Sequence, residues 1–181
     1  MGRLMRAILF GLVGAGIVHI AVVLLIPHFS DRNAWSRISA YGGDWTFHRI
    51  LRNGQKGHLP LAMDPLIEAS ACRFDISDLP AHVTGVGTLP YWSISVYDRK
   101  GENIYSINDR TAIADQLDLV VATPLQAIEL RKSQPVSAEN SVVIEADMDE
   151  GFVVVRSFVP DESWKGQVDP FLGSARCTPL L

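Results

Sequence analysis

Between Tyr97 and Arg110 the chain gathers its best set of recognition side chains: Tyr97, Asn103, Tyr105, Asn108, Asp109 and Arg110. An arginine presents a planar donor fork that fits a carboxylate. An asparagine both donates and accepts, and a tyrosine adds a flat surface with a polar tip. That combination suits a sugar or a peptide carboxylate. An alternative use of the same residues is a hydrolase or sugar-modifying enzyme working through Asp109, Arg110 and neighbouring acids. The simplest reading is structural: Asn108 and Asp109 cap a turn while Arg110 bridges to Asp109 or Asp98.

Elsewhere the sequence offers little chemistry. There is no G-x-S-x-G, no H-E-x-x-H, no glycine-rich phosphate loop and no C-x-x-C. His28, His48, His58 and His82 are scattered, with no pair at ligand spacing. Asp147, Asp149 and Gly151 resemble part of a calcium loop, but the other oxygen ligands are not in register. An acidic, glycine-ended hairpin turn accounts for them more simply. No catalytic residue, metal site or cofactor is predicted.

The pattern around the recognition residues is that of β-structure. From Tyr91 to Tyr97 the residues alternate, with Trp92, Ile94 and Val96 on one face and Tyr91, Ser93, Ser95 and Tyr97 on the other. Residues 98–101 read as a turn and 103–107 as the returning strand. Such a hairpin would bring Tyr97 near Tyr105 and leave residues 108–110 at its exit. Residues 73–76 and 82–86 also read as extended, and the apolar run 117–122 as a strand buried on both faces. Residues 142–144 and 152–158 are expected to form a second hairpin around 147–151.

Helical signals are fewer. Asp64 and Pro65 look like a cap and first helical position for residues 66–72. Thr123 and Pro124 do the same for a helix over 125–131, although 125–133 also fits an amphipathic strand. Trp35, Ile38, Tyr41 and Trp45 have the spacing of a short amphipathic helix, interrupted by Gly42 and Gly43. Residues 52–57 read as a polar, glycine-punctuated loop. Asp161 is placed to cap a last short helix carrying Trp164, and Pro170, Phe171 and Leu172 to begin a closing turn. Strands dominate, so the expected fold is mainly β: a β-sandwich-like domain with two or three short helices.

Residues 7–26 set the surroundings in which this domain works. They carry no formal charge and one polar side chain, His19. As a helix they span roughly 30 Å, the thickness of a bilayer's hydrocarbon core. A cleaved secretory signal has an apolar region of about 7–15 residues before a small-x-small site. Here the run continues to Ile26 and meets Pro27, His28 and Phe29 instead, which predicts an uncleaved transmembrane helix. Arg3 and Arg6 favour a cytoplasmic N-terminus. The expected order is a cytoplasmic stub (1–6), the span (7–26), a tether and lead-in region (27–58) and an exported β-rich domain (59–181). In a bacterium this places the span in the inner membrane and the domain in the periplasm. Gly11, Ala15 and His19 recur on one face of the span. They are either a seam for self-association or a partner helix, or part of a glycine-rich anchor whose histidine finds water or backbone.

All twenty acidic residues follow the span, together with fourteen of the sixteen basic ones, a formal charge of −6. A mildly acidic domain without a basic run argues against nucleic acid and a polybasic lipid patch as partners. Cys72 and Cys177 are the only cysteines. In an oxidising compartment such a pair is more often bridged than free, the alternative being two buried thiols.

Several blocks are more distinctive than this general pattern: residues 64–75, 91–101 and 103–110, then Thr123-Pro124, residues 150–154 and 159–161, and Trp164. Over them the chain resembles a family of small alphaproteobacterial membrane proteins classed as a domain of unknown function. The relatives of that family include larger periplasmic proteins built from β-sandwich domains. The resemblance implies an envelope location and a β-rich domain, and it supplies no reaction. The expected role is a binding or scaffolding module with an envelope partner.

Overall fold

The computed structural model describes residues 2–29, 34–40, 42–50, 64, 66–87, 89–113, 116–133 and 135–180. The chain divides into two compact units, residues 1–33 and 34–181. The first is a helix, α1 (Gly2–Phe29). Its stretch Gly2–Leu25 is long and apolar enough to cross a membrane, and its side chains there are exposed.

The second unit is mainly β. Among the described residues, one sheet contains β1 (His48–Ile50), β2 (Ile67–Asp75), β4 (Trp92–Asp98), β5 (Asn103–Asn108) and β8 (Glu150–Phe158). Their order is β1-β2-β8-β4-β5, antiparallel throughout. The other contains β3 (Ala81–Gly85), β6 (Leu117–Ala122), β7 (Val142–Glu145) and β9 (Arg176–Pro179), in the order β7-β6-β3-β9. The helices are α2 (Ala34–Ser39), α3 (Pro124–Ser133) and α4 (Lys165–Ser174).

Alternation on the strands builds the interior. Phe74, Val83, Trp92, Ile94, Val96, Leu119, Val153 and Val155 meet between the sheets, joined by Val168, Phe171 and Leu172 of α4. Cys72 on β2 and Cys177 on β9 stand at disulfide distance across this interior, with Cα atoms 6.6 Å apart and a sequence separation of 105. Strand β6 is buried on both faces, as its unbroken apolar run predicts. Leu117, Leu119 and Val121 enter the central core, whereas Val120 and Ala122 pack against Ala127 of α3. Helix α3 resolves the ambiguity over 125–133. The Thr123 N–H donates to Gln126 Oε1 (2.9 Å) and the Gln126 N–H to Thr123 Oγ1 (3.4 Å), a reciprocal capping box.

Three expectations are corrected. Residues 67–72 are strand, not helix, and Leu66 lies in the turn before them. Asp64 does accept at a chain start, from the Leu66 N–H with Oδ1 and from the Ile67 N–H with its carbonyl, but the turn launches β2. Ala69 and Ala71 then face one side and Ser70 and Cys72 the other, all fully covered. Small side chains suit a strand packed on both faces and override the local helix signal. The second hairpin does not exist either. Strand β7 runs parallel to β6, while β8 lies in the other sheet between β2 and β4, so residues 146–149 cross between sheets. Finally, Pro170, Phe171 and Leu172 lie inside α4, where Phe171 and Leu172 are buried. Tyr41, residues 52–57, His58 and Pro65 lie outside the described residues. Helix α2 and strand β1 belong to the globular unit, within the stretch read as tether and lead-in.

Candidate binding trough on the five-stranded sheet

The β4–β5 hairpin forms, turned by Asp98. Its Oδ1 accepts the Glu102 N–H (2.8 Å), and Gly101 takes the positive φ (87°) that the turn needs. The register then separates the six recognition residues. Tyr97 pairs with Asn103 across a bulge, whereas Tyr105 pairs with Val96. Directly opposed side chains share a face, so Tyr105 lies on the Val96 side of the sheet and Tyr97 on the other. Asn108, Asp109 and Arg110 sit at the far end of the hairpin, where they build a turn. Asn108 Oδ1 accepts the Arg110 N–H (3.1 Å), Asp109 Oδ2 accepts the Tyr91 N–H (3.3 Å), and the Arg110 side chain is exposed. Asn108 and Asp109 therefore serve as caps, and the set as a whole does not converge. In α1, Gly11, Ala15 and His19 are helical and exposed, so their spacing keeps them on one face.

Tyr97 and Asn103 do converge on something, through residues that sequence reasoning missed. The outer face of the five-stranded sheet carries a polar chain. Asn103 Nδ2 donates to Ser106 Oγ (3.0 Å) and Ser106 Oγ to Ser95 Oγ (2.9 Å). Arg156 reaches the same group, with Nη1 donating to Ser95 Oγ (3.1 Å) and Nη2 to Tyr97 Oη (2.9 Å). The Tyr97 ring stacks on Phe152, its register partner, with centroids 5.0 Å apart and planes 13° apart.

Beside this chain lies a trough of about 390 Å³, at the small end of the range for ligand sites. Ala34 and Ile38 of α2, Ile50, Ile67, Phe152 and Val154 make it apolar, while Tyr97, Arg156, Asp64 and Gly101 complete the lining. Helix α2 is held over the sheet by Ile38, which is buried, and by Trp35, whose ring lies 6.4 Å from that of Phe152. The Arg73 and Arg99 guanidinium groups lie 4.9 and 5.7 Å from the Trp35 ring.

The electrostatics of the trough centre on Arg156. It is half-buried, and its partners among the described residues are neutral oxygens. Arg49, Arg73, Arg99 and Arg131 all pair with carboxylates. Burial alone pushes the Tyr97 phenol up. The hydrogen bonds from Arg156 and Ser95, the Arg156 charge and a contact with Asn103 outweigh it and leave the phenol below its ordinary value. Negative charge is thus favoured beside Arg156.

A second polar cluster lies on the outer face of the four-stranded sheet. His82 Nε2 is 2.9 Å from Asp118 Oδ1, and Ser141 Oγ donates to that same oxygen. The residue types are those of a catalytic triad, but the connections are not. A triad places the histidine between acid and serine and uses both ring nitrogens. Here Asp118 and Ser141 (Oγ 3.5 Å away) both meet the same ring nitrogen, Nε2, so the cluster ties β3, β6 and the start of β7 together.

The fold has counterparts among solved structures. The VPA0106 protein of Vibrio parahaemolyticus matches at a TM-score of 0.60 and 11% identity, covering 86% of this chain and 33% of that one. A Burkholderia cenocepacia protein described as putative and uncharacterized matches at 0.50 and 14%, covering 80% and 37%. The chain thus spans about a third of the length of each. No family model and no curated protein matches it. At these identities the likeness concerns the fold alone.

Proposed function

We propose that the chain is a single-pass inner-membrane protein of a bacterial envelope, with a cytoplasmic N-terminus and a periplasmic globular unit that serves as a binding module. The observation that carries the binding role is the apolar trough bordered by the Arg156–Tyr97–Ser95 cluster. An open apolar cavity with a few polar groups at one side is the common form of a ligand site. Membrane attachment is supported by the exposed apolar face of α1, which water does not tolerate over 24 residues. Arg3 and Arg6 support the orientation. The Cys72–Cys177 pair fits an oxidising compartment, where it would be a disulfide. A hydrolase built on Asp109 and Arg110 finds less support, because Asp109 is engaged with the Tyr91 backbone.

Two measurements test the proposal. A C-terminal alkaline phosphatase fusion should be active and a C-terminal fluorescent-protein fusion dark; the reverse pattern overturns the topology. Native mass spectrometry of the full chain, released from its own membrane in lipid discs, should show a bound adduct that Val154→Trp removes by filling the trough. An adduct unaffected by that substitution, or none, overturns the binding role.

A further inference from the structure

We infer that the trough takes an amphipathic anion: a single alkyl chain or comparable apolar body, ending in a carboxylate or phosphate held by Arg156. This deepens the binding role and rests on it. Ile38, Ile50, Phe152 and Val154 supply an apolar bed without a hydrogen-bonding side chain, so the body of the ligand must itself be apolar. At about 390 Å³ the bed holds one chain of moderate length, not both chains of a phospholipid.

The head group follows from Arg156. A guanidinium has five donors in a planar fork, and two of its nitrogens here spend bonds on the neutral oxygens of Ser95 and Tyr97. Those bonds fix the fork without neutralising it. A charged group taken out of water needs an opposite charge, and a bidentate oxyanion is the partner that matches the fork. The guanidinium also stands 5.8 Å from the Tyr97 ring, which holds it against the edge of the apolar bed. Asp64 is the carboxylate of the lining, and its Oδ1 is already engaged by the Leu66 N–H. A cationic head would have to approach Asp64 while lying beside Arg156, which like-charge repulsion opposes.

The same head chemistry is offered by a free alkyl carboxylate and by an anionic lipid that inserts one chain. The test therefore uses matched photoprobes on the full chain in phosphatidylcholine discs: diazirine-bearing dodecanoate, dodecanol, dodecyltrimethylammonium and phosphatidylglycerol. Peptide mapping after photolysis should place the dodecanoate or phosphatidylglycerol label on β8 and α2, and which of the two labels them identifies the source. Arg156→Met keeps the apolar stem and should lower that labelling by at least about tenfold, the equivalent of one charge-assisted contact. Arg156→Lys, which keeps the charge without the fork, should fall between. Val154→Trp should abolish labelling by every probe.

Equal labelling by dodecanol, or preferential labelling by the ammonium probe, overturns the anion while leaving the trough as the binding site. Trough labelling by none of the four probes overturns the ligand class, and labelling unchanged in Val154→Trp overturns the trough itself. Thermal unfolding of each variant is measured alongside. If Arg156→Met lowers the melting temperature and Arg156→Lys does not, the Lys variant carries the comparison.

Discussion

The two sheets of the globular unit share one interior but treat their outer faces in opposite ways. The four-stranded sheet is closed. Helix α3 covers Val120 and Ala122 with Ala127, and Leu130 and Leu180 pack around them. Its first turn is fixed by the Thr123–Gln126 box, and Gln126 Nε2 reaches across to the Ile76 carbonyl (2.8 Å). The five-stranded sheet also has a helix on its outer face, but α2 is only six residues long. Among the described residues it packs on Ala69 and Ala71 through Ile38 and on Phe152 through Trp35, with Val154 and the Arg156 cluster along the trough. Both faces are apolar enough to need cover. Among the described residues the difference lies in how much helix each receives, and the face with the shorter helix also carries the half-buried cation with neutral partners.

The largest test removes what both faces depend on. If Cys72 and Cys177 are bridged, the link constrains a 105-residue loop, worth about 4–5 kcal/mol in the chain-entropy model. Reduction, or the Cys72→Ala/Cys177→Ala pair, should lower the urea midpoint of the full chain by a corresponding amount, read by tryptophan fluorescence. All four tryptophans lie after residue 33, so the signal reports the globular unit. Loss of the bridge should loosen the closed and open faces together. An unchanged midpoint would mean that the sulfurs are thiols and that the sheets hold without them.

A smaller effect separates the faces directly. Ala127 is fully buried beneath the closed face, and Val154 is 6% exposed beside the trough. Ala127→Phe should cost about 1–3 kcal/mol by overpacking, whereas Val154→Phe can turn its ring into open space and should cost less than about 1 kcal/mol. On a unit of this size the difference is several degrees of melting temperature, at roughly 2–4 °C per kcal/mol. Equal losses would mean that the open face is as tightly filled as the closed one.

The same contrast explains what could be read from the sequence. The closed face was partly legible because its signals are local. The run 117–122 announces a strand covered on both sides, and Thr123-Pro124 signals a helix start, but 125–133 fits an amphipathic strand equally until the Gln126 side chain closes the cap. The hairpin holding Tyr97 was legible for the same reason: alternation, a turn at Asp98–Gly101, and a return. The open face was not. Tyr97 and Arg156 are 59 residues apart and meet only because β8 lies beside β4, an insertion between sequence-distant strands that no local pattern announces. The expected hairpin of 142–144 with 152–158 failed by assuming that neighbours in sequence pair. The expected helix at 66–72 failed because small residues satisfy either periodicity until their tertiary cover is known. One signal did point the right way: Arg156 interrupts an apolar run at Phe152–Val155, and an arginine on a strand otherwise that apolar asks for a reason.

The smallest effect sharpens the comparison at a single proton. With its phenol held below the ordinary value of about 10, Tyr97 loses its proton in the folded state before it does in the unfolded one. Between that lowered midpoint and about pH 10 the unfolded chain binds more protons, so Tyr97 adds stability as pH rises through this window and none below it. The tyrosinate absorbance of wild type minus that of Tyr97→Phe should therefore titrate below 10. In an Arg156→Met background the same difference should titrate higher, because burial would remain while the donor and the charge that oppose it are gone. Tyr91 is exposed and belongs to another cluster, with Phe158 and Trp164, so Tyr91→Phe should leave the midpoint in place. If Arg156→Met leaves it in place as well, the guanidinium does not set the potential of the trough, and the open face would differ from the closed one only in cover. If the midpoint moves, the cation that governs the Tyr97 proton is the group an anionic ligand would meet.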